Sequence, residues 1–242
     1  MFPYFEVGPF EIGSVRIYPF GAMVACTLLT WLVLVLRRAP RVGLDPRRAL
    51  RLLESILAAG VAGALLWAAA ANLAAPGRAH ARFSSFGGVF GSLIGVALYF
   101  RFAKIKPAWR WRYLDLLAYA FPFGWTFLRL GCTLVHDHPG RHTANFLAVQ
   151  YPDGPRYDLG LLEMLATFAV AWAFAVLGRK PRPPGFFLRW MVLCGPIRIA
   201  LDQLRENPAR LWGLTGDQIG GVALTAAGIW MVARCHKATT YK

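Results

Sequence analysis

The sequence predicts an all-α polytopic membrane protein with about seven transmembrane helices, its N-terminus outside and its C-terminus in the cytoplasm. Three observations carry that expectation. Of 242 residues, 57% are hydrophobic and only 16% charged, with a mean hydropathy of +0.43, which is not the balance of a water-soluble globule. Apolar runs recur at about the length that crosses a bilayer. Basic residues gather in alternate connections between those runs.

A hydrocarbon core roughly 30 Å thick takes about 20 apolar residues, and a helix is the form that satisfies their backbone polar groups there. Such runs occupy residues 18–36, 56–75, 86–102, 114–135, 159–177, 185–201 and 216–232. The first and second carry no charged residue. The third is short, with Gly87, Gly91 and Gly95 every four residues, a spacing that permits close helix contact. The fourth carries Arg129, the fifth Glu163, and the sixth Arg189 and Arg198. The seventh has no lysine, so a retinal Schiff base in a last helix is unsupported.

Of 27 Lys and Arg residues, six lie in 37–55, five in 101–112, three in 178–184 and three in 233–242, seventeen in all. The alternate set, 1–17, 74–85, 136–158 and 202–215, holds seven. Cytoplasmic connections retain positive charge, which sets the orientation. The net charge of +15 therefore faces a membrane surface, and no nucleic-acid partner is expected. Cys26, Cys132, Cys194 and Cys235 form no CxxC pair and are read as free thiols. The N-terminal stretch has two acids and no basic region, so no cleavable signal peptide is seen. The longest connection spans about 23 residues. A single integral membrane domain over 1–242 is the expectation.

An ionisable group inside a span costs about 3 kcal/mol or more, so it marks a function or a buried pair. With the N-terminus outside, Arg129, Glu163, Arg198 and Asp202 fall at one depth on the outer side, contributed by three helices. Arg189 falls toward the inner end and serves as an anchor. The loop after the fourth run adds His136, Asp137, His138 and His142 at the outer level. His-x-His spacing alone does not specify a metal, and no matching carboxylate-histidine motif occurs elsewhere, so hydrogen-bonding or general-base duty is expected and no metal. Two arginines beside histidines at headgroup depth suit the phosphate of an outer-leaflet phospholipid.

These residues resemble the prolipoprotein diacylglyceryl transferase family. The family signature G-R-x-G-N-F-x-N-x-E-x-x-G is similar to the stretch from Leu128 to Gly140, with Arg129, Gly131 and Gly140 matching and Asp137 in place of the glutamate. Its Ser-Phe-His-Gly-Gly segment resembles Ser84 to Gly88, and its His-Pro-x-Gln-Leu-Tyr-Glu segment Tyr157 to Glu163. Its Tyr-Gly-x-x-Arg-x-x-x-Glu-x-x-Arg resembles Cys194, Gly195, Arg198, Asp202 and Arg205, and a Gly-Gln element resembles Asp217-Gln218. The sequence departs from the family at Phe86 for its histidine, Cys132 for its asparagine and Cys194 for its tyrosine.

The resemblance implies transfer of a diacylglyceryl group from phosphatidylglycerol to the lipobox cysteine of prolipoproteins, in the bacterial inner membrane and with no cofactor. Arg129 and Arg198 would then hold the phosphate, and His138 or His136, oriented by Asp137, would be the base, because phenylalanine at 86 cannot exchange a proton. Glu163 and Asp202 would position the arginines. Gly131, Gly140, Arg205, Gly87 and Gly88 would complete the substrate contacts with phosphatidylglycerol, the prolipoprotein segment and membrane lipids. The alternative is a non-catalytic lipid-binding or assembly paralogue of the same fold.

Overall fold

The computed structural model describes residues 1–74, 85–179, 185–206, 210–211 and 213–240. Seven helices run through it: α1 (Pro19–Arg38), α2 (Pro46–Ala74), α3 (Ser85–Phe102), α4 (Pro107–Val135), α5 (Leu159–Leu177), α6 (Phe186–Asp202) and α7 (Gly216–Thr240). Each contains or overlaps one predicted run. The main differences are that α2 starts ten residues early, α4 starts seven early and α7 ends eight late. A helix need not be apolar outside the hydrocarbon, so Arg47, Arg48 and Arg51 extend α2 where apolarity alone sees a loop. Three helical stretches, Pro19–Arg38, Pro46–Ala70 and Leu159–Leu177, are long and apolar enough to cross a membrane, and Gly87–Phe102 is a shorter apolar one. Leu66, Leu73, Phe168 and Trp172 are each more than half exposed, as side chains facing lipid would be.

The fold is mostly helical with short strands, which the all-α expectation left out. Strands β1 (Phe2–Pro3), β4 (Pro139–His142), β5 (Val149–Tyr151) and β6 (Gly154–Asp158) form a sheet in the order β1-β5-β6-β4. Two hairpins, β2 (Phe10–Ile12) with β3 (Val15–Ile17) and β7 (Arg210–Leu211) with β8 (Leu214–Thr215), precede α1 and α7.

The chain divides into two compact units, Leu32–Leu117 and the remainder. In the smaller unit α2 and α3 pack backbone to backbone. A Cβ on Gly87 would stand 2.3 Å from the Gly63 carbonyl oxygen, and one on Gly91 2.1 Å from that of Ala59. Only glycine permits that approach, and Ser55 Oγ adds a hydrogen bond to the Gly95 carbonyl at 3.1 Å.

In the larger unit α5 and α6 meet over an apolar cluster in which Val170 and Phe174 pack with Phe186 and Ala118. Near Pro122 in α4, α1 supplies polar ties: Thr27 Oγ1 donates to the Gly124 carbonyl at 3.0 Å and Trp31 Nε1 to the Phe121 carbonyl at 3.1 Å. Helix α5 is started by Asp158, whose Oδ1 accepts from the Leu161 backbone N–H at 2.8 Å.

Candidate active site

Within the larger unit, α4, α5, α6 and the start of α7 bring charged side chains to one cavity. It is lined by Arg129, His138, Leu159, Glu163, Arg198, Leu201, Asp202, Arg205 and Asp217. Spacing explains the placement. Trp125 and Arg129 lie four residues apart on one face of α4, and the Arg129 guanidinium carbon sits 5.0 Å from the Trp125 ring centre. Arg198 and Asp202 are likewise one turn apart on α6, as are Cys194 and Arg198.

Glu163 is the hub. Its Oε1 accepts from Trp125 Nε1 at 2.9 Å and from Arg198 Nη1 at 3.2 Å. Arg129 Nε lies 3.1 Å from Oε2, close enough for an ion pair but out of line for a hydrogen bond, and is otherwise without a partner among the described residues. Arg129 Nη1 donates weakly to Cys132 Sγ at 3.7 Å. Asp217 is a second hub, bonded to Arg198 Nη2 at 3.1 Å and to Arg205 Nη2 at 2.9 Å. Three arginines and three carboxylates thus interleave around one small space, which favours an anion able to compete with the carboxylates.

His138 stands on the cavity wall with Nδ1 2.5 Å from Asp137 Oδ1. That hydrogen bond, with a second donated by the ring to the Cys132 sulfur, pushes His138 up from 6.5 to about 9 against the burial that lowers it. Burial raises Asp137, but the His138 contact outweighs it and leaves the carboxyl below its ordinary value of 3.8. Cys132, Asp137 and His138 also bring a sulfur, an oxygen and a nitrogen within 4.8 Å of one another, a grouping able to hold a metal ion.

Several predicted site residues have other surroundings. His136 does not line the cavity. It is buried with Nδ1 2.5 Å from Asp158 Oδ2 and Nε2 2.8 Å from the Phe5 carbonyl oxygen, and Tyr4 stacks on its ring. Both ring nitrogens are occupied, so it ties the N-terminal segment to the start of α5. Tyr151 donates to the same Asp158 oxygen at 2.9 Å. Gly131 packs on α1, where a Cβ would meet Met23 at 3.0 Å. Gly140 supports Arg205: it pairs with it as a β-bridge, and a Cβ there would stand 2.7 Å from the Leu204 carbonyl oxygen. Gly87 and Gly88 belong to the smaller unit, where they face α2. The Phe86 side chain lies outside the described residues. Among the described residues Asp202 binds Thr215 and approaches Arg205 rather than Arg198.

The family model for prolipoprotein diacylglyceryl transferase matches residues 8–234 of the chain. The chain belongs to that family. It is a family of membrane proteins, in keeping with the apolar helices. A phosphatidylglycerol–prolipoprotein diacylglyceryl transferase of Chlorobaculum tepidum is 28% identical over 148 residues, covering 56% of this chain and 50% of that protein. The chain spans about half the length of the curated relative it matches.

Two members of the site escape a reading restricted to charges in spans. Asp217 sits at the very start of α7, where an acid in a first turn reads as an ordinary dipole partner. Trp125 carries no charge, although its spacing of four from Arg129 was available as a signal.

Proposed function

We propose that the chain transfers the diacylglyceryl group of phosphatidylglycerol to the lipobox cysteine of prolipoproteins, from the outer leaflet of the bacterial inner membrane. The observation that carries this reading is the meeting of Arg129 and Arg198, from separate helices, on the carboxylate of Glu163 in a cavity that Arg205 also lines. A phosphodiester presents two anionic oxygens, as a carboxylate does, and competes for the same guanidinium donors. Seven crossings with the N-terminus outside follow from the charge distribution, and they put this cavity at outer headgroup depth.

The cysteine sulfur attacks the glyceryl carbon joined to the phosphate. The S–C bond forms, the C–O bond breaks, and its electron pair leaves on the phosphate oxygen. The thiol proton ends on the released glycerol phosphate. Arg129 and Arg198 stabilise the departing charge, each worth about 3 kcal/mol when such a donor is lost. His138 carries the proton. Its value of about 9 lies close to the ordinary thiol value of about 8.5, so transfer of the proton from sulfur to the neutral ring, the minority form at about pH 7, is nearly even in free energy. Asp137 holds the ring for that exchange, and Glu163 and Asp217 keep the guanidiniums in place until the lipid arrives.

The second reading, a non-catalytic lipid-binding paralogue, is favoured by Phe86, Cys132 and Cys194 at three family positions. Purified protein, phosphatidylglycerol vesicles and a lipobox peptide separate the two. Peptide gaining one diacylglyceryl group by mass supports transfer. Vesicle binding without any mass gain sinks it in favour of the second reading.

A further inference from the structure

Asp202 ends α6 beside the cavity, and its side chain is 2% exposed. One oxygen is fully engaged. Oδ2 accepts from Thr215 Oγ1 at 2.5 Å, and Thr215 is fixed in turn, its N–H donating to Gln218 Oε1 at 3.2 Å and its Oγ1 accepting from the Gln218 N–H at 3.1 Å. The other oxygen, Oδ1, is buried and has no hydrogen-bond partner among the described residues. The Arg205 Nε stands 3.6 Å away, beyond hydrogen-bond reach. A buried carboxylate oxygen left without a donor is costly and uncommon. This one belongs to a residue that lines the same cavity as Arg129, Arg198 and Arg205.

We infer that Asp202 Oδ1 accepts a hydrogen bond from a hydroxyl group of the lipid headgroup, which makes Asp202 a specificity-determining residue for a polyol phospholipid. The inference rests on the phospholipid reading above. Charge selects the donor. The phosphate itself is repelled by Asp202 and drawn to the arginines, so the far end of the headgroup is what reaches the aspartate. An ammonium there would satisfy Oδ1 but would sit among three guanidiniums. A hydroxyl donates without adding positive charge. The Thr215 and Gln218 bonds hold the carboxylate so that Oδ1 cannot turn to find a partner of its own.

The test compares phosphatidylglycerol with phosphatidylpropanol, which has the same diacylglyceryl group, charge and headgroup carbon count but no hydroxyls. Thermal stabilisation of the full-length protein by short-chain forms of each lipid reads binding, and transfer from vesicles of each to a lipobox peptide reads kcat/KM. The wild type should prefer phosphatidylglycerol by about tenfold to a hundredfold in both, because a site built to bond a hydroxyl discriminates against its absence. Asp202→Asn should narrow that preference to within about threefold, mainly by loss on phosphatidylglycerol. Phosphatidylethanolamine should do no better than phosphatidylpropanol.

Should Asp202→Asn fail to fold, the wild-type comparison stands by itself. Equal binding of the glycerol and propanol lipids by the wild type would overturn the inference, as would a folded Asp202→Asn protein that keeps full discrimination. Selective stabilisation by phosphatidylglycerol with no transfer from any lipid would sink the transferase reading and leave the hydroxyl contact supported.

Discussion

Arg129 and Arg198 meet through a single side chain: Arg129 Nε stands 3.1 Å from Glu163 Oε2, and Arg198 Nη1 3.2 Å from Oε1 of the same carboxylate. Without that anion, two guanidiniums from α4 and α6 would share a largely buried space with nothing between them. Glu163→Gln keeps the shape and removes the charge. Breaking a buried pair by removing one partner costs about 3 kcal/mol or more, so the variant should melt several degrees lower in detergent. A melting temperature equal to the wild type would show that the bridge is not structural.

His138 gives a pH dependence whose sign is set by its upward shift. Its folded-state value of about 9 lies above the ordinary 6.5, so the protonated ring stabilises the fold fully below about pH 6.5 and loses that contribution as pH rises through 9. The Asp137 hydrogen bond is the largest cause, so Asp137→Asn should draw the His138 midpoint down toward 6.5. Proton NMR of the ring in detergent would read both midpoints, and an unchanged midpoint in Asp137→Asn would contradict the assignment.

His136 and Asp158 should behave as structural residues. Asp158 caps α5, faces His136 and accepts from Tyr151, all while fully buried. Asp158→Ala should therefore cost about 3 kcal/mol or more of stability and free the N-terminal segment to proteolysis before Tyr4. Resistance of that segment to protease at the wild-type level would count against the tie.

Much of this was legible in the sequence because a bilayer imposes a length. Each of the seven apolar runs lies within or overlaps one helix, whereas the helix ends were not legible: residues 46–55 carry Arg47, Arg48 and Arg51, so apolarity gives no sign of the helix they form. The gathering of Arg129, Glu163, Arg198 and Asp202 could be argued from depth alone. The strands between residues 139 and 158 could not, because β5 depends on pairing with Phe2–Pro3, nearly 150 positions away. The same remoteness hides the His136 contact with Phe5, which is what takes that histidine away from the cavity. From its spacing Gly87 reads first as a packing residue and second as a headgroup contact, and its approach to Gly63 accounts for it by packing.

The α2–α3 contact predicts a sharp size limit. Gly91→Leu should separate the two helices, because even a single Cβ there meets backbone atoms of Ala59. Loss of folded protein after extraction, against normal yield for Gly220→Ala with open space around its site, would support it. Normal yield of both would not.

The central claim is that one phosphate is held by two arginines at once. It is tested most directly by lipid transfer to a lipobox peptide in Arg129→Ala, Arg198→Ala and the double variant, each first shown to be folded. Each single variant should lose on the order of a hundredfold in rate, and the double variant should be only a few-fold worse than the weaker single, because both donors serve one group. A wild-type rate in either folded single variant would contradict the account.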